Sequence, residues 1–168
     1  MKIFKFVFIV IVALCIMVTT CYAAGDTDDG NDEPHEYYEQ FVSDASLIAK
    51  LLYRECRGVA STTEKAAVAW VVMNRVDDEN YPNTVREVIM QRNQFASIKR
   101  TPVDPELYEL AEDVLRRYTW EQMGFTDVGR VIPEDYLWFA GKNGKNTFRN
   151  RFSTSRRWDF SLESPYEN

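Results

Sequence analysis

Residues 61–76 read Ser-Thr-Thr-Glu-Lys-Ala-Ala-Val-Ala-Trp-Val-Val-Met-Asn-Arg-Val. Ser61 with Glu64 three places on is a capping box, in which side chains satisfy the free N–H groups of a helix's first turn. Every residue from Ala66 to Met73 is apolar. A helix that is apolar all round has no face for water, so it belongs at the centre of a domain. The stretch therefore predicts a mostly helical fold wrapped around one buried helix.

Working outward, a helix is expected over residues 38–56. Phe41, Ala45, Ile48, Leu52 and Cys56 recur there at three- or four-residue spacing. Gly58 suits the left-handed position just past its end. Downstream, Thr84 and Glu87 form a second capping box, opening a short helix to about residue 91. Residues 92–103 read as irregular or extended. Asp104-Pro105 is an N-cap followed by a first-turn proline, and Leu107, Leu110, Ala111, Val114 and Tyr118 mark the stripe of the next helix. Residues 136–140 read as a strand. Asn143-Gly144 is a two-residue turn signal that pairs it with residues 147–152. The fold class is α+β, mostly helical, with a small β-hairpin.

The chain of 168 residues is one domain's worth, 45% apolar and 27% charged. That excludes collagenous, low-complexity and wholly disordered classes. The single histidine, His35, argues against a Ser-His-Asp triad, a Cys-His dyad or a histidine-based zinc site. No cofactor or metal is expected. Residues 24–39 hold seven acids and no Lys or Arg, so they read as an acidic flexible linker. Beyond them basic and acidic residues nearly balance, and residues 40–168 form the folded domain.

Residues 1–23 read as a signal peptide. Lys2 and Lys5 precede an unbroken apolar run over residues 6–18, and Cys21-Tyr22-Ala23 places small residues for cleavage after Ala23. An uncleaved anchor is the alternative, as is a lipoprotein box at Val18-Thr19-Thr20-Cys21. All three export the chain, to be secreted or associated with the cell wall. Cleavage leaves Cys56 alone, without a disulfide partner, as a small buried hydrophobe.

Glu55 is the residue most suited to chemistry. At 100° per residue, Phe41, Ile48, Leu52 and Glu55 fall within a sector of about 60°. The carboxyl therefore points with the core, where an unpaired charge is costly. Either Arg57 or Arg75 pairs with it, or desolvation keeps it protonated, the state a general acid requires.

Tyr53-Arg54-Glu55-Cys56-Arg57-Gly58 resembles the signature of the spore cortex-lytic, SleB-like cell wall hydrolase family. Residues 66–76, Tyr81-Pro82-Asn83-Thr84 with Val88-Ile89, and Gln94-Phe95-Ala96-Ser97 are similar to its later blocks, in the same order. Asn146 and Phe148 resemble its late Asn-x-Phe element. The likeness spans about residues 47–152. Val59 stands where the family often has a second glutamate, and a late histidine is missing.

The resemblance implies a lysozyme-like fold that cleaves peptidoglycan glycan strands, with Glu55 as the catalytic acid/base. The substrate contacts expected with it are Arg57, Gln94, Phe95, Ser97, Tyr136, Asn146 and Phe148. Amides and hydroxyls suit sugar hydroxyls and N-acetyl groups, and aromatic faces suit sugar rings. No second carboxylate stands out, which favours lytic transglycosylation over the usual two-carboxylate hydrolysis. A water-using muramidase would need one of Asp77, Asp78, Glu134 or Asp135. The rival of another class is a non-catalytic wall-binding module of the same fold. Lys142, Lys145, Arg149, Arg151, Arg156 and Arg157, interleaved with Phe148, Phe152 and Trp158, read as a solvated hairpin and tail. Export argues against a nucleic-acid partner. The expected partner is peptidoglycan, met by a monomer with no membrane span after signal cleavage.

Overall fold

The computed structural model describes residues 33–152 and 157–167. The expected signal peptide, Cys15, Cys21, most of the acidic segment and Arg156 lie outside the described residues. The elements in chain order are α1 (Glu33–Glu55), α2 (Thr62–Asp77), α3 (Val85–Met90), α4 (Pro105–Gln122), β1 (Trp138–Lys142) and β2 (Lys145–Arg149). The architecture is α+β, with helices predominating over one two-stranded antiparallel sheet.

Helix α2 is buried from Ala66 through Arg75 and forms the axis of the core, as its composition requires. Ser61 caps it by accepting the Glu64 N–H at 3.2 Å. The Glu64 carboxylate does not close the expected box. Oε2 instead accepts the Asn146 N–H at 2.9 Å, tying the start of α2 to the hairpin. Helix α1 packs chiefly on α4 and also meets α2 and α3. Ala45, Ile48, Ala49, Leu51 and Leu52 are its fully enclosed face.

Helix α1 begins five residues earlier than the apolar spacing predicts, within the acidic segment. Its first turns are solvated, so they leave no apolar signal. They are bridged along the helix by His35 with Glu39 at 3.9 Å and by Gln40 with Asp44 at 2.9 Å. The caps of α3 and α4 are where the sequence places them. Thr84 accepts the Glu87 N–H, and Asp104 accepts the Leu107 N–H, each at 3.2 Å.

The hairpin sits two residues from its expected position. The sheet pairs Trp138 with Arg149 through to Lys142 with Lys145, around Asn143 and Gly144 at φ 53° and 72°. Two adjacent positive φ angles are what a two-residue turn of this hand requires. Tyr136 and Leu137 stay out of the ladder because their carbonyls are already taken. Asn74 Nδ2 donates to Tyr136 O at 2.9 Å, and Arg75 Nε donates to Leu137 O at 2.8 Å.

The C-terminal segment folds back over this sheet. Trp158 N donates to Phe148 O at 3.0 Å, and its Nε1 donates to Val131 O at 2.9 Å. Tyr166 Oη donates to Asp113 at 2.8 Å. Among the described residues no helix is long and apolar enough to cross a membrane.

Candidate active site

Helix α1 ends on Glu55, and the chain turns at Gly58, φ 81°, before entering α2. The hairpin lies against this end. A Cβ on Gly144 would stand 2.8 Å from Gly58 O, and one on Gly141 would stand 3.9 Å from Glu55 O. The irregular loop after α3 closes the other side. Its Ala96 N–H donates to Glu55 Oε1 at 2.6 Å. The last turn of α1, the hairpin and the 94–97 loop therefore meet around one carboxylate.

Glu55 is half-buried. Among the described residues neither Arg57 nor Arg75 pairs with it, so the ion-pair expectation fails. Arg57 is exposed. Arg75 is buried, but it is spent elsewhere. Its Nε holds Leu137 O, and its guanidinium carbon lies 5.0 Å from the Tyr81 ring centre and 4.7 Å from that of Phe95. Burial without a carboxylate pushes the Arg75 pKa down. Glu55 Oε2 has no protein partner among the described residues and is not enclosed. One carboxylate oxygen is thus anchored by a backbone N–H while the other is open.

The candidate contacts divide into two groups. Gln94 and Ser97 are exposed on the loop beside Glu55. Phe95 is partly buried, clamped between Arg75 and Phe139, whose ring centre is 6.1 Å away. Asn146 is buried. Its N–H meets Glu64, its Nδ2 lies 3.9 Å from Cys56 Sγ, and its Oδ1 has no partner. Phe148 is fully enclosed, and Tyr136 is nearly so. Their rings meet Phe139, Phe160 and Trp158, so both support the hairpin from within the core and present no face to solvent.

Cys56 is a free, buried thiol pushed up to about 12, first by burial and then by neighbouring Glu55. It stays protonated at neutral pH and is no nucleophile. Among the acids considered as second carboxylates, Asp77 accepts from Tyr118 and Gln122, Asp78 from Asn80, and Asp135 from Asn150. Among the described residues no group of three His, Cys, Asp or Glu side chains is arranged to hold a metal ion.

Three roles were not legible in the sequence. Asn74 is buried and fully satisfied, donating to Pro133 O and Tyr136 O and accepting from Arg130. With Arg75 it anchors the segment that leads into β1. Arg130 also pairs with Glu121 at 2.5 Å and stacks 4.2 Å over Trp70. Glu64 holds the hairpin strand that carries Asn146. Such partners lie far apart in the chain, and no local signal marks them.

A family model described as Cell Wall Hydrolase matches residues 60–151. The match covers α2, α3, α4, the 94–97 loop and the hairpin, and starts just after Glu55. Comparison with curated proteins and with solved structures yields no match. Since the matched segment is more than half of the chain and holds its central helix and two of the three walls around Glu55, the chain belongs to the Cell Wall Hydrolase family.

Proposed function

We propose that this protein is an exported, SleB-like lytic transglycosylase of lysozyme-like fold, cutting the bond between N-acetylmuramic acid and N-acetylglucosamine in peptidoglycan. Family membership supports action on the cell wall. The observation that carries the catalytic reading is the Glu55 carboxyl, held by Ala96 N–H through Oε1 and free at Oε2.

In this reading Oε2 carries the proton and delivers it to the bridging oxygen as the glycosidic bond breaks. The departing N-acetylglucosamine leaves with that proton as its new hydroxyl. Positive charge develops at the anomeric carbon of the muramyl ring. Glu55, now a carboxylate, removes the proton of that ring's own 6-hydroxyl, whose oxygen closes on the anomeric carbon. A 1,6-anhydro ring forms, no water is consumed, and Glu55 ends protonated as it began. The attacking group is already attached to the substrate, which gives the proximity advantage of an intramolecular step. Gln94 and Ser97 offer the amide and hydroxyl that would orient the sugars.

The test uses insoluble peptidoglycan, wild type beside Glu55→Gln, with soluble products weighed by mass spectrometry. Anhydro-muropeptides from wild type alone are expected. Free reducing muramic ends would replace this mechanism with a water-using muramidase. Binding to the wall without product from either protein would make the domain a binding module.

A further inference from the structure

We infer that the pocket beside the last turn of α1 is a second binding site, for a short peptide carrying both a carboxylate and a primary ammonium. Such peptides branch from peptidoglycan glycan strands, so the inference rests on the glycan reading of the Glu55 cleft and extends it.

The pocket has a volume of about 260 Å³, and Leu52, Leu107 and Tyr53 are among its lining residues. That is below the ~300–1,000 Å³ of ordinary small-molecule sites, a size for the end of a branch rather than a sugar polymer. Four charged side chains line it: Arg57 and Lys65 from the α1–α2 corner, Asp104 and Glu106 from the start of α4. Arg57 and Glu106 are exposed, and Lys65 and Asp104 are half-buried. Among the described residues none of the four joins an ion pair. Asp104 spends one oxygen on the α4 cap.

Opposite charges that share a cavity without meeting select their ligand by sign. A simple anion gains Arg57 and Lys65 but faces two acids, and a simple cation meets the converse. A zwitterion can pair with both sides at once. Tyr53, Cys56 and Arg57 flank Glu55 in the chain, so the pocket adjoins the turn that carries the carboxyl. A strand lying across Glu55 would carry its branches outward from the glycan, towards neighbouring surfaces of this kind.

The test is titration calorimetry on the full chain carrying Glu55→Gln, which cannot turn over. The probe is the stem peptide N-acetyl-L-Ala-γ-D-Glu-meso-diaminopimelate-D-Ala, capped so that its one primary amine is the diaminopimelate side chain's; glycan stripped of peptides is titrated separately. Binding of the peptide is expected at millimolar concentration. Lys65→Gln, at a half-buried position, and Glu106→Gln, at an exposed one, should each weaken it by about three- to fivefold. Acetylating the side-chain amine of the peptide should abolish the Glu106→Gln effect and leave that of Lys65→Gln. No peptide binding, or binding that neither variant alters, overturns the site. Bound peptide with unbound glycan would instead sink the Glu55 cleft reading and leave this pocket standing.

Discussion

At the residue scale, the proposed catalytic group is a carboxyl with one tethered and one open oxygen. Glutamine keeps the carbonyl that accepts the Ala96 N–H but has no proton to give. Glu55→Gln should therefore lower wall-degrading activity by about 10²- to 10⁴-fold, the range of general acid–base catalysis. The melting temperature should move little, and activity near wild type would remove Glu55 from the mechanism. Arg75 is a different kind of residue. It is buried, pairs with no acid among the described residues, and holds Leu137 O while stacking on Phe95, the neighbour of Ala96. Truncation by Arg75→Ala leaves a cavity and an unmet carbonyl. Unfolding in urea should show a loss of about 2–4 kcal/mol. A loss under half of that would mean the stacking contributes nothing.

At the element scale, the hairpin comes against the turn that follows α1. Two glycines test that contact. Gly58 and Gly144 both have positive φ, but a Cβ on Gly58 meets nothing within 4 Å whereas one on Gly144 meets Gly58 O at 2.8 Å. Gly58→Ala should cost only the backbone strain of about 1–2 kcal/mol. Gly144→Ala adds a clash with backbone and should cost more, while lowering activity as the hairpin shifts. Equal losses from the two variants in thermal unfolding would show that the hairpin does not press on the turn after α1. The strand shift belongs to this scale too. Alternation of Tyr136, Trp138 and Phe139 marks an extended segment, but not that Asn74 and Arg75 take the carbonyls at its start.

At the scale of the whole molecule, buried Cys56 and partly buried Tyr118 and Tyr166 are shifted towards their neutral forms. Burial, then charge and hydrogen bonding from Asp77, raises Tyr118. Burial, then Asp113, raises Tyr166, and burial raises Cys56 from 9.0 to about 12. A raised native pKa means the native state keeps protons that the unfolded chain releases at alkaline pH. This stabilising contribution is complete below the unfolded values and is lost as pH rises from about 9 upward. Melting temperatures should fall progressively through that range. Cys56→Ala should shallow the fall near its start, and a flat profile would contradict the packed, proton-retaining placement of all three groups.

The sequence by itself determined the helical core. Capping residues and apolar spacing act within a few residues of each other, so the axis of α2, the caps of α3 and α4, and the Asn143-Gly144 turn could be read directly. Helical spacing also put Glu55 towards the interior at the end of α1. What only the tertiary structure decided is what surrounds it. The failure of Arg57 and Arg75 to reach Glu55, the Ala96 N–H that does reach it, the return of Glu64 to the hairpin, and the burial of Phe148 and Tyr136 all join residues distant in the chain. Such contacts form only when whole elements pack, because an arginine or glutamate side chain settles with whichever carbonyl, ring or N–H the finished core brings within its reach.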